Sequence, residues 1–270
     1  LVKYHHKTFI QVFGHDITQK KNAELLIKEE NKKLKELEEL RKSIITSVSH
    51  ELKTPLLLVS GASEYLIEYM KDLTHNEREM LQMLQRGGER LNTLIEKLLD
   101  ITRIEYSKLD LNMETHEISE LLHDITSEMR TLASSKGIDF VLDLEKGVSS
   151  TIDRFRIEQV ITNLLSNAIK NAPKRSEVKI SLKTLRSPPV AQISVKDEGV
   201  GLTAGEMDLI FKKFGKIERE EEGLEYVDIS GSGLGLYISR EIVKLHGGDI
   251  WAESEGRGKG SKFVIELPLD

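Results

Sequence analysis

The sequence predicts an all-α helical hairpin, paired with a second copy into a four-helix bundle, followed by an α+β two-layer sandwich. Three observations carry this. Two apolar stripes step by three and four residues on either side of a short polar turn, the spacing of one buried helix face. Past residue 115, alternating segments begin to mix with amphipathic ones, so strands and helices share one layer system. The 270 residues are 39% hydrophobic and 31% charged, which suits a folded chain with long solvated helices and argues against disorder.

Composition also excludes. With no cysteine, disulfides, zinc thiolates and thiol catalysis are out. A net charge of -6 disfavours general attraction to nucleic acid or anionic lipid, so phosphate binding has to come from local groups. No apolar run approaches the roughly 20 residues of a membrane span, and no signal peptide is visible. The chain begins at Leu1 inside a strand-like pattern. It reads as a cytoplasmic fragment of something longer, with room for an upstream membrane anchor.

In chain order, residues 1–18 hold "HKTFIQVFGHDIT", whose alternation is that of a half-buried strand ending at Gly14. Residues 19–46 are rich in Lys, Glu and Leu. Ala23, Leu26, Leu37, Leu40 and Ile44 fit a heptad seam interrupted by Glu30 and Lys33, a coiled-coil connector in preference to a solvated single helix. The hairpin spans 47–106. Ile45, Val48, Leu52, Leu56, Val59 and Leu66 form its first stripe, and Met80, Leu84, Leu91, Leu94, Leu98 and Ile101 its second, with a turn at 70–77. Two stripes alone make a thin core, and this predicts the homodimer. Gly87 and Gly88 inside the second helix predict close packing or a flexible point. After a linker at 107–114, the mixed domain runs from 115 to 270. Helices are expected at 118–137, 153–172 and 233–248, and strands at 138–144, 177–185, 190–199 and 260–269, in an antiparallel-leaning sheet covered on one face.

His50 stands about 160° from both Val48 and Leu52 on a helical wheel, outside the stripe and facing solvent. A lone exposed histidine usually does nothing. Its neighbours change that reading. Glu51 can take a ring proton and make the other nitrogen a better nucleophile. Thr54 lies one turn on, on the same side. Pro55 gives no N–H to the Glu51 carbonyl, so a bend is expected there.

The mixed domain lacks a GxxxxGK[ST] phosphate loop. Instead "NLLSNAIKNA" puts Asn163, Asn167 and Lys170 or Asn171 on one helix side, where amide oxygens suit a Mg²⁺ ion that keeps several waters. "DEGVG" (197–201) follows a strand; an aspartate there can accept from an exocyclic amine, and glycines let the backbone approach a flat ring. "GSGLGL" (231–236) opens a helix, whose free N–H groups can hold phosphate. Each piece is weak alone, since two asparagines often only solvate a helix and glycine runs occur by chance. Their order and spacing are more specific.

In these motifs the chain resembles the cytoplasmic part of a sensor histidine kinase of the two-component type, in the HisKA class. "SHELKTPL" resembles the H-box, "NLLSNAIKNA" the N-box, "DEGVG" the G1 box, "IFKKFGK" the F-box, "GSGLGL" the G2 box and "GRGKGSKF" the terminal glycine box, over about residues 40–269. "VFGHDITQKKNAE" resembles the end of a PAS sensor domain and its exit helix. The resemblance implies a Bergerat ATP-binding fold, ATP and Mg²⁺ as cofactors, and a response regulator receiver domain as partner. It implies that His50 is phosphorylated by ATP, that Glu51 is the activating base, and that Thr54 orients a water when the regulator is dephosphorylated. Asn167 would hold Mg²⁺. Asn163 and Lys170 would help bind the phosphates, Asn171 would border the nucleotide, and Asp197 would contact the adenine amine. Gly199, Gly201, Gly231, Gly233, Leu234, Gly235 and Leu236 would shape the pocket and lid, with Lys216 in place of a phosphate-facing arginine. Asn171 replaces an aromatic or histidine, and "FKKF" lacks an acidic residue; both bear on rate and affinity. Residues 216–230 read as a surface loop or an ATP lid. The rival readings are a Bergerat-fold ATPase clamp without phosphohistidine and a scaffold with a degenerate ATP site.

Overall fold

A computed structural model describes residues 2–4, 7–9, 18–70, 73–106, 109–217 and 233–269. At the N-terminus β1 (Val2–Tyr4) pairs antiparallel with β2 (Lys7–Phe9). The rest of the expected strand, residues 10–17, lies outside the described residues.

The connector and the first hairpin helix form a single helix, α1 (Thr18–Tyr69), 52 residues long. The boundary drawn at residue 46 thus falls inside a continuous helix, and the helix also runs through Pro55. The second helix, α2 (His75–Glu105), starts on a capping box. Thr74 Oγ1 accepts from the Glu77 amide at 3.3 Å, and Glu77 Oε2 accepts from the Thr74 amide at 2.8 Å, satisfying two of the amides that a helix start leaves open.

The two helices lie antiparallel, tied by Lys53 Nζ to Glu96 Oε1 at 3.0 Å and by the Tyr106 hydroxyl donating to the Glu38 carbonyl at 2.9 Å. Small residues set their approach. Ser49 and Ser63 are buried with Ile95, and a Cβ at Gly88 would run into the Ser60 hydroxyl. The close packing expected of the glycine pair is therefore at Gly88, while Gly87 faces open space. The apolar stripes are not used up in this contact. Val48, Leu52, Val59, Leu84, Leu91, Leu94 and Leu98 stay between 36% and 53% exposed on the single chain.

In the mixed domain, β3 (Glu114–Glu117) pairs antiparallel with β5 (Ser149–Ile152). A separate sheet of five strands runs β4 (Asp139–Leu144), β6 (Glu177–Arg186), β7 (Pro189–Asp197), β9 (Ser261–Pro268), β8 (Asp249–Glu253). Its pairs are antiparallel except β4 with β6. In β6 the alternation expected of a half-buried strand is explicit: Val178, Ile180 and Leu182 point into the core, and Lys179 and Lys183 away from it. Helices α3 (Ile118–Ser135), α4 (Arg154–Asn171) and α6 (Gly235–Leu245) pack against this sheet. Leu121, Leu122, Ile161, Leu164, Leu165, Ile180, Ile193 and Ile265 are each at most 1% exposed in the resulting core. The sequence reading did not find β3, β5, β8 or the short α5 (Ala204–Leu209).

Candidate functional site

His50 is exposed on α1, as its place on the helical wheel predicts, and so are Glu51 and Thr54. Among the described residues no hydrogen bond joins the His50 ring to Glu51. Thr54 Oγ1 lies 3.4 Å from the His50 carbonyl, a long back-bond that leaves the hydroxyl easily redirected. One turn away the Lys53–Glu96 pair ties α1 to α2. The imidazole is therefore an exposed side chain on a two-helix support.

Helix α4 starts at Asp153, whose Oδ1 accepts from the Arg156 amide at 3.1 Å in an ordinary N-cap. Its core side buries Ile157, Ile161, Leu164, Leu165 and Ala168. Asn163 and Asn167 stand half-buried beside that face, and Lys170 is exposed. The Asn163 amide donates to Ser239 Oγ of α6 at 3.0 Å, and the Asn171 amide donates to the Asn167 carbonyl at 2.8 Å. The Asn167 side chain has no hydrogen-bond partner among the described residues, so its amide oxygen is available to a ligand.

Asp197 ends β7 and is 1% exposed. A buried carboxylate needs donors. It has two: the Gly199 amide to Oδ1 at 2.7 Å and the Ser261 hydroxyl to Oδ2 at 2.5 Å. A Cβ at Gly199 would run into the Asn171 carbonyl and Asp197 Oδ1, so α4 and the β7 turn meet with no room for a side chain. Gly201 has φ +69° and its missing side chain admits the Gly256 carbonyl; Gly260, at φ +73°, admits the Asp197 carbonyl. At the start of α6, a Cβ on Gly235 would strike the Asn163 amide, and Gly233, at φ +67°, packs on the Phe214 backbone. Leu234 is 4% exposed and caps α6, Leu236 packs against the core, and Lys216 is exposed. Gly231 and most of the expected lid lie outside the described residues.

The fold thus brings the end of α4, the β7 turn and the start of α6 into one cleft lined by backbone, amides and one buried carboxylate. His50 shares no bond with it. The unpartnered Asn167 oxygen is a hard, neutral donor that fits a Mg²⁺ ion keeping its own waters. Sequence reasoning missed Ser239 and Ser261, which hold Asn163 and Asp197 in place. It also missed His246, buried at the end of α6: its Nε2 accepts the Asp153 amide at 3.0 Å, so Nδ1 carries the proton toward the Ile242 carbonyl at 2.8 Å. Burial pushes this imidazole below its usual range. An open groove of about 440 Å³ lined by Asp110, His116, Phe155 and Glu158 lies at the other end of α4, and none of the candidate nucleotide residues borders it.

Residues 152–270 match the family model described as histidine kinase-, DNA gyrase B- and HSP90-like ATPase, and residues 40–107 match the His Kinase A (phospho-acceptor) domain. The chain is 35% identical over 267 residues to hybrid signal transduction histidine kinase D of Dictyostelium discoideum, covering 95% of this chain and 17% of that protein. It is 31% identical over 232 residues to the sensor protein SrrB of Staphylococcus aureus (strain MRSA252), covering 86% of this chain and 39% of that protein. The chain therefore spans less than two fifths of the length of these curated relatives. Full-length ShkA, solved in complex with AMPPNP, aligns with a TM-score of 0.70 at 26% identity over 84% of this chain and 45% of ShkA.

Proposed function

The chain belongs to the sensor histidine kinases, and on that footing we propose that it uses ATP to phosphorylate His50 and then passes the phosphoryl group to an aspartate of a response regulator receiver domain. The observation that carries this reading is the pairing, in one chain, of an exposed imidazole with a cleft built around Asn163, Asn167 and Asp197.

Phosphoryl transfer asks a protein for positioning and charge neutralisation more than for covalent help. Asp197 accepts the adenine amine as a third donor beside Gly199 and Ser261. Asn163, Lys170 and Asn171 lie along the phosphates, with Lys216 as a point charge at their far end. Gly199, Gly201, Gly233 and Gly235 let the backbone segments that wall the site pack closely against one another, and Leu234 and Leu236 anchor the start of α6. Asn167 would hold Mg²⁺, which when bound neutralises charge on the phosphate oxygens. At the hairpin, the unprotonated ring nitrogen of His50 attacks the γ-phosphorus, the bond to the bridging oxygen breaks and ADP leaves. Glu51 accepts the proton on the other ring nitrogen. In a separate hydrolytic step, Thr54 orients a water that attacks the phosphoaspartate of the regulator, leaving the free aspartate and inorganic phosphate.

The open stripes on α1 and α2 are covered by a second copy in this reading, giving a dimeric four-helix bundle. An upstream sensor domain, PAS-like in residues 1–18, reaches the bundle through α1. Among the described residues no helix is long and apolar enough to cross a membrane.

Incubation with γ-labelled ATP should place base-stable, acid-labile label on the chain. Steady phosphate release with no labelled protein would overturn the proposal in favour of an ATPase clamp, and absence of both release and nucleotide binding in favour of a scaffold.

A further inference from the structure

The end of α2 is not free. Asp100 Oδ1 lies 3.1 Å from Arg156 Nη1, and its Oδ2 accepts from Gln159 Nε2 at 2.9 Å. Arg156 Nη1 also donates to Gln159 Oε1 at 3.0 Å, so each of the three side chains is bonded to the other two. The Asp100 and Arg156 side chains are each only 13% exposed, and an ion pair so placed is screened far less than one on the surface. The neighbouring Ile101 is 6% exposed within the same apolar core as Ile157 and Ile161, and Ile104 packs against that core. One turn further on, Glu105 pairs with Lys213, whose ammonium lies 5.3 Å from the centre of the Tyr237 ring. The hairpin thus grips the mixed domain at two places: the first turns of α4, and the segment leading to α6.

The height of these grips along the hairpin can be read from its register. Lys53 faces Glu96 and Glu38 faces Tyr106, so His50 is level with a point within a turn of Asp100. Glu105 lies five residues further toward the connector, about 8 Å at 1.5 Å per residue. Lys213 and Tyr237, beside the start of α6, are therefore held on the connector side of His50. Asn167 lies eleven residues along α4 from Arg156, about 16 Å from the grip. In-line attack needs the γ-phosphorus within about 3.5 Å of the ring nitrogen. His50 meanwhile stays exposed. With α4 pinned by its first turns, His50 is open to solvent and shares no hydrogen bond with Asn163, Asn167 or Asp197 among the described residues.

We infer that Asp100 is a positioning residue: by gripping Arg156 and Gln159 it seats the nucleotide-binding domain on α2 in a resting register, and loosening that grip speeds phosphorylation of His50. The inference rests on the kinase reading for its rate claim and on geometry alone for the seating. It gives bending or rotation of α1 and α2 a defined target, since a shift of α2 by part of a turn takes Asp100 out of reach of two partners at once.

The test uses the full chain, which is cysteine-free, so that Leu58→Cys on α1 and Leu185→Cys in β6 take two nitroxide labels at exposed positions. Labelled chain is diluted with unlabelled chain, and the distance is read by pulsed electron resonance. The parent should give one narrow distance. Asp100→Asn and Arg156→Asp should each broaden it and raise the initial rate of His50 labelling on the order of fivefold. The affinity for a non-hydrolysable ATP analogue should be unchanged. Combining Asp100→Arg with Arg156→Asp should restore both the narrow distance and the slow rate, which a general loss of stability would not do. An unchanged distance in both single variants overturns the seating. A broadened distance with an equal or lower rate overturns the resting register. A parent chain that takes no label contradicts the kinase reading instead, and the distance comparison alone then upholds or overturns the seating.

Discussion

The Ser261 hydroxyl donates to Oδ2 of Asp197 at 2.5 Å, joining the start of β9 to the end of β7 at a carboxylate that is 1% exposed. With the Gly199 amide on Oδ1, the charge is held by two donors. Ser261→Ala leaves a buried charge short of a donor and should cost about 1–3 kcal/mol, visible as a lower midpoint in denaturant unfolding. Asp197→Asn replaces an acceptor by an amide donor. It should weaken adenine nucleotide binding by about tenfold or more in a titration, while guanine nucleotide binding stays weak.

Gly235 and Gly199 are places where a single carbon should force the walls of the site apart. Alanine at Gly235 meets the Asn163 amide, and alanine at Gly199 meets the Asn171 carbonyl, which is backbone and cannot swing away. Both variants should lose about tenfold or more in affinity for ATP, Gly199→Ala the more. Alanine at Gly205, where nothing lies within 4 Å of the added carbon, should bind as the parent does.

The periodic elements were legible because burial on one side imposes the pattern: α3, α4, α6, β6 and β9 were each placed to within a few residues. β3 ("ETHE") and β5 ("SSTI") were not, because they form a two-stranded pair with polar residues on both edges. What Ser150 buries is a hydroxyl bonded to the Pro268 carbonyl, not an apolar side chain. In the candidate site, the order of asparagines, aspartate and glycines singled out positions that the fold does gather into one cleft. Ser239, Ser261 and Asp100 gave no signal, because a serine or aspartate speaks only through partners, here 56 to 76 residues away in sequence. The continuity of α1 across residue 46 was half legible: the heptad seam ran straight into the next apolar stripe, and no glycine or proline stands between them.

His246 should make the mixed domain sensitive to mild acid. An unfolded imidazole titrates near 6.5, and burial places the folded one lower. Below about 6.5 the unfolded chain therefore takes up the proton more readily, so stability is full above that pH and falls as pH drops toward the folded value. Protonation would also put a second N–H against the Asp153 amide. Thermal unfolding between pH 7.5 and 5.5 should show this loss, and His246→Gln, with a neutral acceptor in place of Nε2, should flatten it. Equal pH slopes in parent and variant would assign the acid sensitivity elsewhere.

The open stripes predict assembly. Leu91 and Leu94 are 43% and 36% exposed on the single chain. Replacing both with glutamate should convert a dimer to a monomer in sedimentation without loss of helix by circular dichroism, since neither is buried within the hairpin as Ser49, Ser63 and Ile95 each are. A parent chain that sediments as a monomer would show that the stripes have another occupant.

The central claim is that the exposed imidazole of His50 receives the terminal phosphate of ATP bound in the mixed domain. The direct measurement is γ-labelling of the parent beside His50→Ala, with binding of a non-hydrolysable ATP analogue followed in both. The account predicts acid-labile, base-stable label on the parent, none on His50→Ala, and equal analogue binding. Equal label on the two chains would contradict it.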